Sequence, residues 1–411
     1  MTDYVDAIVI GGGPAGSTIG YLLCEHGLRV VIIEKERFPR FHIGESLLPA
    51  SNRIFKRLNI LSELRSRFIA KPGGKWYYDE HAVSGEFSQA DRHASFYDDP
   101  VAMCVERAEF DQILLNNAKA MGAVVLEEHE VRDMLFAGNR VSGVVAEGKS
   151  GVKQFKAPIV FDCSGQRAVV ESKLGMRRPT NMKRMAVFSH YQCDICEPQA
   201  RQGWFVGSMV NDGWVWTIPI GKQKLSIGVV TSIDEYRKIA KAPELFLERQ
   251  LETVSFLRTT VPQDAKRVED VRVMGNMGYT SDQFYGHGWV AVGDAAFFID
   301  PCYSTGVHLA LYSAELAADC WLKAKDRPAE AVDKIFSGYQ RTLRRHEKIA
   351  SKWVESFYIS STNKLIRSMT RKTLNSSATS PFLTFVGGDF DKNHLFINYS
   401  HFVTKMIDRL F

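Results

Sequence analysis

No apolar stretch in these 411 residues reaches the roughly 18 that a membrane-spanning helix requires. No run of like charges is long enough to form a nucleic-acid tail, and the formal net charge is only +5. Neither a membrane span nor a nucleic-acid partner is expected. Cysteine is scarce and shows no pairing pattern: Cys24, Cys104, Cys163, Cys193, Cys196, Cys302 and Cys320 are an odd set scattered through a long chain, unlike a disulfide framework. Reduced thiols are expected. Cys193 and Cys196 form a Cys-x-x-Cys pair, but zinc needs four ligands and no second pair or close histidine follows, so no metal site is expected. Internal repeats and low-complexity segments are absent as well. Met1 runs directly into an apolar strand at Ala7 to Ile10, so no cleavable leader is expected and the cytoplasm is the expected compartment.

What is present is an ordinary globular composition, 45% hydrophobic and 24% charged, in a chain long enough for two or three structural units. Ala7 to Ile10 leads into Gly11-Gly12-Gly13-Pro14-Ala15-Gly16 and then a helical stretch to about His26. This is GxGxxG between a strand and a helix. Gly11 permits the tight turn, Gly13 lets backbone approach a pyrophosphate, Gly16 lets the helix pack close, and the helix N-terminus faces the phosphates. A second apolar strand, Arg29 to Ile33, ends at Glu34, placed to accept hydrogen bonds from an adenosine ribose.

Gly286 to Ala296 then reads as a buried strand ending in Gly293-Asp294 before a helix, where a carboxylate suits a polyol chain; FAD carries a ribityl chain and NAD does not. Asp294 can equally cap the helix. Val105 to Asp111 and Phe161 to Gly165 fill the other positions expected of a large FAD-binding fold. Far downstream stands Trp214-Val215-Trp216-Thr217-Ile218-Pro219. Two indoles two residues apart on a strand share one face of a sheet, either as core packing or as a rigid wall beside a bound ring.

Further stretches carry a resemblance. Phe38 to Leu47, the Trp214 to Pro219 run, Phe298-Ile299-Asp300-Pro301-Cys302-Tyr303-Ser304-Thr305-Gly306, and Lys71 within Phe68 to Gly74 resemble, with the glycine turn, the flavin-dependent halogenases, a branch of the aromatic-hydroxylase flavoproteins. The resemblance spans nearly all of residues 1–325. It implies an α/β chain with a Rossmann-like FAD-binding domain of the aromatic-hydroxylase type, a β-sheet substrate domain and a helical C-terminal region. It implies FAD contacts at Gly11, Gly13, Ala15, Gly16, Glu34, Arg40, Gly44, Ser46, Arg107, Asp294, Gly306 and Val307, and a halide site at Ser304, Thr305 and Gly306. Reduced FAD and dioxygen would give a flavin hydroperoxide, a halide would attack it to form hypohalous acid, and Lys71 would deliver electrophilic halogen to an electron-rich ring. Lysine suits the task because burial makes its neutral amine accessible; Lys75 is the nearest competitor, and an ordinary surface lysine is the plain alternative. Trp214 and Trp216 would bar direct oxygen transfer to the substrate.

One departure bears on the substrate. Tryptophan halogenases carry a glutamate just before the Ser-Thr-Gly segment, and here that place holds Tyr303. Phenols and pyrroles, activated by their own lone pairs, depend less on that carboxylate. A phenolic or pyrrolic substrate is therefore expected, with Tyr303 lining the path between flavin and substrate.

The expected division is a discontinuous FAD-binding part at 1–75, 98–180 and 270–325, a substrate sheet at 76–97 and 181–269, and a helical region at 326–411. Gly138-Asn139-Arg140 signals a hairpin turn. Between Arg341 and Lys372 nine Lys or Arg face two Glu. Such a basic face would steer an acidic acyl carrier protein bearing the substrate, or be a merely solvated surface. Reduced FAD would come from a separate flavin reductase. The rival readings are an NAD(P)H-dependent aromatic hydroxylase, a polyprenyl reductase, and a non-catalytic flavoprotein that docks a partner, because fold alone does not fix chemistry.

Overall fold

The computed structural model describes residues 2–78, 81–149, 151–210, 212–362 and 379–390. Strand Ala7–Ile10 is buried at every position, as a central parallel strand covered on both faces must be. It lies between Val30–Ile33 and Val160–Asp162, parallel to both, with Val124–Leu126 and Trp289–Ala291 continuing the parallel sheet outward and the short Tyr285–Gly286 closing one edge antiparallel. Pro14 opens helix Pro14–Glu25 at a position whose missing N–H costs nothing. That helix packs against Arg107–Met121 and Thr305–Ala324. A four-stranded sheet of Thr2–Tyr4, Gly151–Lys156, Arg140–Gly148 and His129–Ala137 flanks this core, and the hairpin turns at Gly138, where φ is +63.

The second layer is a nine-stranded sheet. From one edge it runs through Phe297–Phe298, Arg272–Ser281, Arg177–Gln192, Lys224–Ser232, Gly213–Gly221, Phe205–Val210, Gly73–Tyr78 and His81–Glu86, with Lys266–Arg267 pairing at the side of Arg177–Gln192. It reaches into 270–325, a stretch expected to serve the FAD-binding part alone. The reason is backbone satisfaction. Arg177–Gln192 is 16 residues long, and its two edges need partners, which Lys224–Ser232 supplies on one side and Arg272–Ser281 on the other. Ile69–Lys71 pairs separately with Ala102–Cys104.

Helix Ala329–Thr362 is amphipathic: Phe336, Tyr339, Leu343, His346, Ala350, Trp353 and Phe357 are buried at alternating three and four spacing. Arg341, Arg345 and Lys348 lie exposed on another side. Arg344 does not join them; it donates to Thr280 and Glu347 and stacks on Phe284. Lys364, Arg367, Arg371 and Lys372 lie outside the described residues, as do 363–378 and 391–411 of the expected helical region. All seven cysteines are free. Among the described residues no helix is long and apolar enough to cross a membrane.

Candidate active site

The turn after the first strand is built of glycine because nothing larger fits. Gly11 holds φ +99, and a Cβ there would lie 2.5 Å from the Cys163 carbonyl oxygen, while one on Gly16 would lie 1.9 Å from the Gly11 carbonyl oxygen. Gly16 thus seats the helix on the strand. Around Gly13 only the Arg40 guanidinium comes near, at 3.5 Å, which leaves the backbone open to a ligand. Glu34 is 4% exposed; its Oε2 accepts from Gly12 N at 2.7 Å and its Oε1 from Glu36 N at 2.8 Å. Each oxygen keeps acceptor capacity for a hydroxyl.

A cavity of about 660 Å³ opens at this turn, lined by Gly11, Gly13, Ala15, Glu34, Arg40, Gly44, Ser46, Arg107, Trp214, Trp216, Asp294, Ser304, Thr305, Gly306 and Val307. Gly16, Lys71 and Tyr303 do not line it. Arg40 and Arg107 are both held by the buried Asp111, at 3.0 Å and 2.7 Å. Burial opposes ionisation of Asp111, but Arg107 and then Arg40 outweigh it and hold the carboxyl below the usual range. Arg107 also donates to the carbonyls of Ile43 and Gly44, pinning residues 38–47 as a strap across the cavity. Gly44 sits at φ +100, and a Cβ there would meet Arg107 Nη1 at 2.9 Å.

Asp294 lies inside the turn Gly293–Ala295, whose N-cap position is taken by Val292, so it does not stand at the cap. Burial pushes its carboxyl up to about 7, with Arg107 opposing, and its Oδ1 stands 4.0 Å from the position a Gly306 Cβ would take. Ser304, at φ 58 and ψ 26, turns the chain left-handed immediately before helix Thr305–Ala324. A left-handed residue followed by helical backbone aims successive N–H groups outward as an anion nest, at the positive end of the helix.

Lys71 ends strand Ile69–Lys71 and is 3% exposed. Its Nζ donates to the Leu47 carbonyl at 2.8 Å and lies 5.2 Å from the Phe87 ring centre. Burial pulls the ammonium down to about 8, while the Cys104 thiol beside it is itself pushed up to about 12 and offers no thiolate. Among the described residues no carboxylate pairs with Lys71. Lys75 differs: Glu197 and Gln199 each accept from it at 3.0 Å, and its pKa is raised despite burial, through Tyr77 and Glu197. Leu47 follows Ser46, so one residue of the strap separates the Lys71 amine from the cavity wall.

Trp214 and Trp216 are 2% and 4% exposed, with ring centres 5.4 Å apart, and both core packing and cavity lining are true of them. Trp216 Nε1 donates to Ser226 Oγ at 3.1 Å, and its ring fills the space that a Gly228 side chain would take, a Cβ there falling 2.2 Å from it. Trp214 Nε1 donates to Tyr358 Oη at 3.3 Å, which donates in turn to Asp300 Oδ2 at 2.8 Å. The Tyr303 ring packs edge-on against Trp353, Phe357, Phe382 and Phe385.

The FAD binding domain family matches residues 4–320. A flavin-dependent halogenase of Armillaria mellea, armH4, is 32% identical over 351 residues, covering 77% of this chain and 65% of its own length, so the chain spans just under two thirds of that relative. A 1H-pyrrole-2-carbonyl-[peptidyl-carrier protein] brominase of Pseudoalteromonas luteoviolacea is 30% identical over 361 residues, 86% of each chain. This chain belongs to the flavin-dependent halogenases. The solved myxobacterial chondrochloren halogenase CndH superposes on the halogenase with a TM-score of 0.81 at 31% identity, covering 95% of this chain and 91% of that one. The hydroxylase, polyprenyl-reductase and non-catalytic readings give way to these matches.

FAD is the cofactor of this halogenase, and the residues present fit it: Gly11 and Gly13 line the cavity with the Gly13 backbone left open, Glu34 stands beside them, and the raised Asp294 carboxyl faces the same cavity. The sequence left three contributors unmarked. Asp111, four residues after Arg107 on one helix, is a readable i,i+4 ion pair. Glu45 lies inside the strap. His190, buried beside Glu45, has no motif around it.

Proposed function

We propose that this halogenase installs chlorine or bromine on an electron-rich phenolic or pyrrolic ring presented by an acidic acyl carrier protein, using reduced FAD from a separate reductase. Bound FAD supplies the redox chemistry that turns dioxygen and halide into an electrophilic halogen. The chain's own residues do the rest. Backbone N–H groups of Thr305 and Gly306, turned outward by Ser304, hold the halide beside the cavity. Trp214 and Trp216 wall off the oxygen chemistry. The buried Lys71 amine, brought to about 8 by desolvation, accepts or polarises the halogen and passes it to the ring.

The observation that carries this reading is Lys71 itself, an uncompensated buried amine bonded to the strap carbonyl next to cavity-lining Ser46. The substrate class is supported by Tyr303 in place of a carboxylate. The nearest carboxyl in that segment, Asp300, is engaged by Tyr358 and by Cys302 N at 2.9 Å. The carrier is supported by the exposed stripe Arg341, Arg345 and Lys348, one helical face at four and three spacing. Mass spectrometry of reactions with phenols and pyrrole-2-carboxylate, free and carrier-bound, and with free tryptophan tests it. A halogen isotope pattern on the carrier-bound ring is expected, and turnover of tryptophan alone would overturn the substrate assignment.

A further inference from the structure

Glu45 and His190 stand 145 residues apart in sequence and meet at the inner edge of the strap. They are 1% and 2% exposed, and Glu45 Oε1 lies 2.5 Å from His190 Nε2, within hydrogen-bond reach. The other Glu45 oxygen, His190 Nδ1 and the neighbouring Ser46 hydroxyl find no hydrogen-bond partner among the described residues. A buried polar atom left single costs about 1–3 kcal/mol. Three of them together, with Glu45 and Ser46 on the cavity wall, are not a stability device.

The pair is also held still. Val105 N donates to the Glu45 carbonyl at 2.8 Å and Val268 N to the His190 carbonyl at 2.9 Å. The Phe41 ring covers the imidazole at 4.9 Å, and Arg272 stacks on Phe41 at 4.2 Å. The titratable groups around it are Cys104 across the Ser46 bridge, Lys71 beyond Cys104, His42 on the strap, Arg272 behind Phe41, and Lys266 and Arg267 beside Gln192 and Tyr191.

Halogenation has a proton demand. Reduced FAD, dioxygen, a halide ion and one proton give oxidised FAD, hypohalous acid and water, dioxygen taking two electrons from the flavin and two from the halide. The ring then exchanges its own proton for halogen and a second water leaves. One proton is therefore consumed in each turnover. Lys71 must be neutral to accept halogen, and Asp300 is held by Tyr358 and Cys302. We propose that Glu45 and His190 share this proton and release it into the cavity through the free oxygen of Glu45. The bond from hydrogen to the pair breaks, an O–H bond forms on the oxygen that departs as water, and the pair, left as carboxylate and neutral imidazole, regains a proton from solvent between turnovers.

The test uses the FAD-loaded enzyme with Glu45→Gln, Glu45→Asp and His190→Gln. With Glu45→Gln and His190→Gln, kcat for halogenation should fall about 100-fold, the scale of a lost acid–base group. The KM for halide and the Kd for FAD, read by flavin fluorescence, should stay within about threefold. Hydrogen peroxide should replace the halogenated product, and lowering the pH should restore part of the coupling. Glu45→Asp should fold and keep intermediate coupling. In the FAD-free protein, nuclear magnetic resonance of labelled histidine should show a low-field imidazole proton that Glu45→Gln removes. Unchanged coupling and pH profile would overturn the proposal. So would FAD affinity falling in step with kcat, because the pair would then only anchor the strap.

Discussion

The two sides of the strap are opposite in chemistry. On the cavity side the charges nearest the glycine turn are answered: Arg40 and Arg107 share Asp111, and Glu34 takes two backbone N–H groups. On the other side Lys71 has one carbonyl, one aromatic face and no carboxylate among the described residues. Ion pairs hold the scaffold that seats the cofactor, while the Lys71 amine, the group proposed to carry the halogen, is left without a carboxylate among the described residues. A charge whose pKa is set chiefly by desolvation stays available for chemistry, whereas a paired one is committed.

The largest effect expected is at that amine. Lys71→Met should lower halogenation by about 1000-fold or more, the upper range for a lost catalytic group. It should also stabilise the fold below pH 8, since a fall from 10.5 to about 8 corresponds to a burial cost of about 3 kcal/mol. The sign follows from proton counts. Between about 8 and 10.5 the unfolded chain binds more protons, so wild-type stability rises with pH and the advantage of Lys71→Met should fade across that window. Thermal melts of both proteins from pH 7 to 10.5 check it, and a constant difference would break the contrast.

Next comes the polar side. Asp294→Ala should weaken FAD binding by about 10- to 100-fold, the worth of a charge-assisted hydrogen bond, measured by flavin fluorescence, with little change in the state of Lys71. Lys75→Met sharpens the comparison from the other direction. Lys75 is committed to Glu197, so its loss should cost about 1 kcal/mol of stability and leave halogenation within about threefold. The smallest effect belongs to the surface stripe. Arg341→Glu with Lys348→Glu should raise the KM for carrier-bound substrate by about 3- to 10-fold at low salt, leave free substrate unaffected, and lose most of that difference in high salt.

Local chemistry was legible in the sequence and tertiary chemistry was not. Strand, glycine turn, helix and Glu34 follow one another within the first 34 residues, so spacing alone set their geometry. Trp214 and Trp216 share a face for the same reason. The strap's fixation by Asp111 was readable only as a helical i,i+4 pair, and was passed over. The meeting of Glu45 with His190 left no trace, because it depends on how a strand from the second sheet lies against the strap. The cluster around the Tyr303 ring was equally hidden, because it comes from helices Ala329–Thr362 and Thr379–Val386, remote in sequence.

The missing side chain at Gly228 makes the indole pair adjustable from behind. Trp216 rests where the neighbouring strand lacks a side chain, so a single methyl group added there would displace the ring without altering any aromatic residue. One carbon atom on the strand behind would therefore reshape the face that Trp216 turns to the cavity.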